Sequence, residues 1–440
     1  MRIVYTILLS AFFFIIVSIM CAALFLPHQL HAETEPAKDT PVETSIQSTI
    51  PVDPVITRIN VTGLKRSKNS LVEHLCGIRP GDRLSEFNPV ACKNRMMKSG
   101  LFSEVTIDTV ISEDHAIIHI HAREKWTLIP MPFASSNSNN SMAGFYLMDM
   151  NMLGLNKKLF VGGIYSTYGW KTNLGIIAPH IGSSNYTGSI FTEISDYRYE
   201  NADAKGEVYE QYDARLQKAG YSLGYQFFDV LTVSLTGNYH NTDVYNRVDT
   251  TKNDIPDARA LGQGLSLRID TMRHTGTFLQ GVYLRTDYTH GIPLGSTGAE
   301  YDSVESRLVY SFGGFFDHLV KFYGHAGTGD MPDAFEERIG GKPGFRALPP
   351  EQIPADSYAG GFIAYEIPLL YLSWGTITVQ GYWENGMYSR TESTTTYFYG
   401  PGGGFRLYLK KIAIPAVGID ATCNLEEGNL EMSAAVGFRM

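Results

Sequence analysis

The sequence predicts a membrane protein built mainly as an antiparallel transmembrane β-barrel of about sixteen strands, preceded by one small α+β domain. The 440 residues are rich in Gly, Tyr and Phe, and only 18% are charged. Past the N-terminus no apolar run reaches the 18 or more residues that a membrane helix needs. Strand after strand instead has one wholly apolar face, which disfavours a soluble all-β protein. The net charge of −9 argues against a general nucleic-acid binder.

The first 54 residues are predicted to lie outside any folded domain. Residues 1–32 begin with Arg2, continue with an apolar run and end at Leu30-His31-Ala32, which is typical of a secretory signal peptide. Because the apolar run is long, an uncleaved membrane anchor is the alternative. Residues 33–54 are rich in Thr, Pro, Glu and Ser, so they cannot bury an apolar face and are predicted to be a disordered linker.

Residues 55–126 are predicted to form a small domain in the order β-α-α-β-β. A first strand ends at Gly63, and Ser67 is a candidate cap for the helix that follows it. Either Ser85 or Asn88, with Pro89 at the first helical position, begins a second helix. Two alternating strands follow, at residues 104–110 and 116–124.

Residues 127–440 are predicted to form the barrel, because their strands alternate between apolar and polar side chains. In residues 231–240 the odd positions are apolar or glycine and the even positions are polar. Residues 430–440 show a similar alternation. An even number of strands follows from closing an antiparallel sheet whose edges would otherwise be unpaired in lipid.

A basic, glycine-rich loop near residue 340 lies between two predicted strands and spans roughly thirty residues. Loops of more than about 12–15 residues are usually functional or disordered. In the strand after it, alternate residues form one polar face: Thr378, Gln380, Tyr382 and Glu384. We therefore expect the loop to fold into the barrel lumen and Arg346 to pair with Glu384, with Lys342 as the other candidate cation. The alternative is a loop charge and a pore-lining acid that do not meet.

This region resembles the signature of the BamA-like outer-membrane insertase and transporter superfamily, also called bacterial surface antigens. In that family a Gly-Gly turn leads to an Arg-Gly-aromatic tip inside the barrel, and a Phe-x-Asp-x-Gly motif on a later strand binds the arginine. The residues here that resemble the loop motif are Gly340, Gly341, Lys342, Gly344, Phe345 and Arg346, and those that resemble the receiving strand are Tyr382, Glu384 and Gly386. Pro343 stands where the family has arginine, and Glu384 where it has aspartate.

Two further segments carry the resemblance. Residues 55–126, with GLKRS, RPGDRLS and KSGLFSEVTID, resemble a POTRA domain. The ending SAAVGFRM resembles a C-terminal outer-membrane targeting strand that includes Phe438 and Met440. In such an oxidising location, and with the two POTRA helices packed together, Cys76 and Cys92 are expected to form a disulfide, with two packed free thiols as the alternative.

The resemblance implies a Gram-negative outer-membrane protein, with its POTRA domain in the periplasm, that inserts or translocates polypeptides. It implies outer-membrane lipid, unfolded or extended polypeptides and periplasmic accessory proteins as partners, with no enzymatic activity, cofactor or metal. The alternative is a passive channel or structural surface protein with the same fold.

Two other patterns are not interpreted as functional. Gly220-Tyr221-Ser222-Leu223-Gly224 matches a nucleophile elbow, but it lies in an alternating strand rather than at a strand-to-helix turn. His119 and His121 share one face of a strand, but a closed metal site needs three or four ligands, so both are expected to face solvent.

Overall fold

A computed structural model describes residues 53–112, 114–136, 141–250, 255–275, 277–390, 395–413 and 417–436. The predicted signal peptide and most of the predicted linker lie outside these ranges, as do Phe438 and Met440. No helix in the described ranges has both the length and the apolar character needed to cross a bilayer.

The N-terminal domain has the predicted order β-α-α-β-β, which is confirmed. Its elements are β1 (Val55–Thr62), α1 (Asn69–Cys76), α2 (Pro89–Lys98), β2 (Phe102–Ser112) and β3 (His115–Glu124). The sheet order is β1-β3-β2, with β1 parallel to β3 and β2 antiparallel to it. Alternate residues of β3 are buried beneath the two helices, while His119 and His121 are exposed as expected.

The two helices of this domain begin differently from each other. The side chain of Asn88 accepts a hydrogen bond from the Ala91 N–H at 2.9 Å and so caps α2. The expectation that Ser67 caps α1 is wrong, because Lys68 is at that position and no side chain caps the helix. The Ser67 hydroxyl instead donates to Glu124 at 2.9 Å.

The rest of the described chain is almost entirely β-strand. The strands are β4 (Leu128–Ser136), β5 (Ser141–Met152), β6 (Lys157–Ser166), β7 (Gly169–Ala178), β8 (Tyr186–Ala202), β9 (Val208–Phe227), β10 (Leu231–Thr250), β11 (Ala258–Asp270), β12 (Arg273–Thr275), β13 (Phe278–Pro293), β14 (Tyr301–Gly313), β15 (Leu319–Gly329), β16 (Glu337–Ile339), β17 (Ile353–Ala355), β18 (Ser357–Tyr371), β19 (Gly375–Ser389), β20 (Thr396–Leu409), β21 (Val417–Asn424) and β22 (Asn429–Val436).

These strands form a closed antiparallel barrel, in which β22 lies beside β4. Strands β16 and β17 stand apart as a separate hairpin, and β12 pairs with the same neighbour, β13, as β11 does. If β11 and β12 are taken as one strand, the described residues give sixteen barrel strands, as predicted.

The first barrel strand carries two prolines, Pro130 and Pro132, which have no backbone N–H to donate. The ladder between β4 and β5 is continuous from Leu128 to Ser136. The two prolines, being two residues apart, direct their missing N–H groups to the same edge of the strand.

The barrel wall follows the predicted alternation. In β10, Val233 and Leu235 face outward and are exposed, while Thr232 and Ser234 face the lumen and are buried. In β19, Thr378, Gln380 and Glu384 are buried in the lumen, whereas Trp383 is exposed on the outside. A one-residue shift in register would exchange these two faces, so the alternation fixes the direction of each side chain.

Candidate functional site: the loop inside the barrel

The candidate site is the loop of residues 330–356, which joins β15 to β18 and carries the β16–β17 hairpin. Its tip turns at three glycines with positive φ: 97° at Gly340, 68° at Gly341 and 86° at Gly344. A Cβ atom on Gly340 would lie 2.1 Å from the carbonyl oxygen of Pro349. The turn therefore requires glycine both for its φ angle and for space.

Glu384 holds the tip of the loop through backbone hydrogen bonds. Its carboxylate accepts the N–H of Gly344 at 3.1 Å and the N–H of Ala347 at 2.9 Å. The side chain is fully buried. A carboxylate that accepts backbone N–H groups in a dry site makes strong, charge-assisted bonds, so Glu384 orders the turn of the loop.

Arg346 is buried beside this carboxylate but forms its ion pair elsewhere. Its guanidinium lies over the rings of Phe362 and Tyr382, at 4.5 and 4.9 Å from their centres. Its Nε atom lies 3.5 Å from Oδ2 of Asp420 on β21. The same oxygen is 2.6 Å from Nη2 of Arg406.

The expected ion pair between Arg346 and Glu384 is therefore corrected to Arg346 and Asp420. Each oxygen of Glu384 accepts one loop N–H, and the Arg346 guanidinium lies against Asp420, another carboxylate of the wall. Lys342, the alternative cation, pairs with Glu337 inside the loop and does not reach the wall.

Phe345 fixes the tip by packing. It is fully buried and contacts the rings of His325, Tyr358 and Phe398 at centroid distances of 5.7, 5.6 and 5.6 Å. A side chain at Gly386 would meet Phe398 at 2.5 Å, so this glycine leaves room for the aromatic cluster.

The base of the loop binds a different part of the wall. Arg338 donates to Asn201 on β8 at 3.1 Å and also bonds to the hydroxyl of Tyr212 on β9. Gln352 donates to Glu200 on β8 at 2.9 Å. Because β8 and β9 lie far around the barrel from β19 and β21, the loop crosses the lumen and binds both sides.

A second polar network joins the N-terminal domain to the barrel. Glu124 of β3 accepts the N–H groups of Lys65 and Arg66 at 2.6 and 2.9 Å, and the side-chain amide of Asn151 on β5 at 3.1 Å. Arg66 also pairs with Asp149 of β5 at 2.8 Å. Burial alone would raise the pKa of Glu124, but the backbone N–H groups outweigh it and hold the pKa below its ordinary value.

The domain contacts further turns at the same end of the barrel, which we call the near rim. The ring of His74 on α1 lies against that of His180 in the β7–β8 turn, with 4.4 Å between centroids and a tilt of 40° between the ring planes. Arg95 and Lys98 of α2 pair with Asp229 and Asp270 at 3.0 and 3.3 Å. Trp126 donates to the Lys411 carbonyl and accepts from the Ala413 N–H in the β20–β21 turn.

The remaining predicted site residues lie apart from the loop. Cys76 and Cys92 are joined by a disulfide between α1 and α2. Cys423 is free, and the described residues contain no cluster of three or more potential metal ligands. Sequence reasoning missed Asp420 and Arg406, although Asp420 is a lone acid among the lumen-facing positions of β21.

No family model matches the sequence, and no curated protein matches it. Solved structures do resemble its fold. CdiB from Escherichia coli has a TM-score of 0.61 at 15% identity, over 88% of this chain and 76% of that one. BamA from Haemophilus ducreyi lacking POTRA domains 1–3 has a TM-score of 0.53 at 12% identity, over 87% and 84%. CdiB from Acinetobacter baumannii has a TM-score of 0.55 at 12% identity, over 87% and 73%. These likenesses show that the chain has the fold of BamA and CdiB.

Proposed function

We propose that this protein is an outer-membrane barrel of a Gram-negative bacterium that inserts or translocates polypeptides. The observation that carries the proposal is the loop of residues 330–356, bound at one end to β8 and β9 and at the other to Glu384 and Asp420. A loop fastened across the lumen obstructs free diffusion, which is unsuited to an open pore and suited to a gated transporter.

The N-terminal domain acts in this proposal as a periplasmic POTRA domain that receives substrate. In the described residues β2 lies at an edge of the sheet, paired only with β3, and Val110 and Ile111 are exposed near its end. An unpaired edge can accept an extended polypeptide as an added strand. The charged contacts at the near rim then present that polypeptide at the barrel mouth.

Transfer into the membrane takes place at the seam between β22 and β4. Pro130 and Pro132 remove two donors from one edge of β4. The process uses no catalytic residue, cofactor or metal, and its partners are outer-membrane lipid, unfolded polypeptides and periplasmic accessory proteins.

Depletion of the protein in its own cells tests this proposal. We expect other β-barrel or secreted proteins to disappear from the outer membrane as the protein is lost, as measured by quantitative proteomics. Complementation with Glu384→Ala should restore less of this set than complementation with the parent gene. A surface proteome unchanged by depletion, with altered uptake of small solutes, would support a passive channel instead.

A further inference from the structure

Two turns at the near rim share a sequence and an unusual backbone. Phe227-Phe228-Asp229 joins β9 to β10, and Phe315-Phe316-Asp317 lies between β14 and β15. In each turn the N–H of the residue after the aspartate donates to the carbonyl of the first phenylalanine, at 3.3 and 3.0 Å. The chain therefore makes the same tight turn twice.

The central residues of both turns adopt positive φ without being glycine. The φ angles are 53° and 62° at Phe228 and Asp229, and 52° and 62° at Phe316 and Asp317. Turns of this kind favour Asn-Gly, because a bulky side chain is strained at positive φ. Phenylalanine is therefore unfavourable here for the turn itself.

The phenylalanine side chains at these strained positions are also exposed on the surface of the protein. Phe228 and Phe316 are 88% and 91% exposed, and Phe315 is 80% exposed. The residues that adjoin them on the outer wall are apolar as well: Tyr225, Phe227, Phe312 and Tyr365. The turns thus continue the apolar outer surface of the barrel past the ends of its strands.

The neighbouring β18–β19 turn extends this surface. Its exposed residues are Leu369, Leu370, Tyr371 and Trp374. Lys410 lies against this turn, donating through Nζ to the Leu372 carbonyl and through its N–H to the Trp374 carbonyl, both at 3.0 Å. Aromatic side chains beside lysine are typical of the boundary between acyl chains and lipid headgroups.

We propose that the two Phe-Phe-Asp turns and the β18–β19 turn are membrane-surface anchors that insert into the phospholipid leaflet at the near rim. Continuity with the outer wall argues for lipid as the occupant rather than a second protein. The inference rests on the proposed function, since it requires the barrel to reside in a membrane. It adds a role for the two strained phenylalanines, which is contact with lipid.

The position of Phe316 relative to lipid can be measured directly. We would place a fluorophore on Phe316→Cys, in a background that carries Cys21→Ser and Cys423→Ser, and insert the full chain into vesicles of phosphatidylethanolamine and phosphatidylglycerol. Ile111→Cys is the matched control, because Ile111 is exposed on the N-terminal domain away from the rim. The label at 316 should be quenched by spin-labelled headgroups and shielded from iodide. The label at 111 should be quenched by iodide and not by the spin-labelled headgroups.

Each other outcome has a distinct meaning. If the barrel inserts but position 316 is as accessible to iodide as position 111, the lipid-anchor inference is overturned. The proposed function is not affected by that result. If the chain does not enter the vesicles, the proposed function fails. A label shielded from iodide only in membranes isolated from cells, without quenching by lipid, would identify a protein partner and overturn the lipid assignment.

A second variant separates strain from lipid contact. Asparagine tolerates positive φ, so Phe228→Asn and Phe316→Asn together should leave thermal stability in detergent unchanged or raised. In vesicles the same pair should lower the folded-to-unfolded ratio by about tenfold for each phenylalanine removed from lipid. Equal stability of the variant and the parent in vesicles would contradict the inference.

Discussion

Arg346 in the lumen loop and Asp420 on β21 form a buried ion pair, with 3.5 Å between Nε and Oδ2. Both side chains are essentially inaccessible to solvent, and Arg406 binds the same carboxylate oxygen at 2.6 Å. Two arginines therefore share one wall carboxylate, of which one belongs to the loop and the other to β20.

The shared carboxylate predicts an order of effects. Asp420→Ala leaves two guanidinium groups without their anion, so it should lower the free energy of unfolding by about 3–5 kcal/mol. Arg346→Ala leaves Asp420 still paired with Arg406 and should cost about 1–3 kcal/mol. Denaturant titration in detergent checks this order, and an Arg346→Ala loss greater than that of Asp420→Ala would contradict it.

A double-mutant comparison identifies the partner of Arg346. Residues in direct contact show interaction energies of about 0.5–3 kcal/mol, whereas independent sites add. Arg346→Ala should therefore couple more strongly to Asp420→Ala than to Glu384→Ala, measured as free energies of unfolding. Stronger coupling of Arg346 to Glu384 than to Asp420 would instead support the Arg346–Glu384 ion pair that the sequence predicts.

Glu384 is predicted to order the loop through its two backbone contacts. Glu384→Ala leaves the N–H groups of Gly344 and Ala347 without their acceptor, at a cost of about 1–3 kcal/mol for a buried donor. Hydrogen exchange at these amides should accelerate by about tenfold or more, read by mass spectrometry. Glu337→Gln is the control, because Glu337 pairs with Lys342 inside the loop. Unchanged exchange in Glu384→Ala would show that the carboxylate does not hold the tip.

The disulfide is predicted to stabilise the N-terminal domain. It links residues 16 apart, and the chain-entropy model assigns about 3 kcal/mol to a loop of this size. Replacing both Cys76 and Cys92 by alanine should lower the melting temperature of the domain, and a reductant should then have no further effect. Cys423→Ser should leave the transition unchanged. Equal melting of the parent with and without reductant would argue against the bond.

The histidine pair predicts a pH-dependent contact between domain and barrel. Burial lowers the pKa of His180 from 6.5 to about 4, and burial together with Arg95 and Arg79 lowers that of His74. The folded protein thus keeps both rings neutral, and stability present above pH 6.5 is lost as the pH falls towards about 4. After discounting for solvent screening we expect a loss of about 1–2 kcal/mol.

Melting of the domain against pH measures this effect. His180→Phe removes the proton-binding group while it keeps an aromatic ring against His74. The parent should lose stability between pH 6.5 and 4 more steeply than this variant. Identical slopes for the two proteins would show that the His74–His180 contact does not titrate.

The alternation of side chains predicted most of the architecture, because the two faces of a barrel strand meet different solvents. Thr378, Gln380, Tyr382 and Glu384 face the lumen as their parity requires, and turn residues such as Gly63 and Pro89 indicate the β-α-α-β-β order. The partner of Arg346 could not be predicted, because the pairing of β20 with both β19 and β21 places Asp420 beside the loop. The role of Ser67 was likewise set by Glu124, which is 57 residues away.

The central claim is that this barrel assembles or transports polypeptides, and reconstitution tests it most directly. The purified chain would be placed in phospholipid vesicles and given a urea-unfolded outer-membrane β-barrel, with folding followed by heat-modifiable migration and ion conductance recorded in parallel. We expect faster substrate folding than in empty vesicles, slower folding with Glu384→Ala, and low conductance that this variant raises. Steady high conductance from the parent protein, without any acceleration of substrate folding, would contradict the claim.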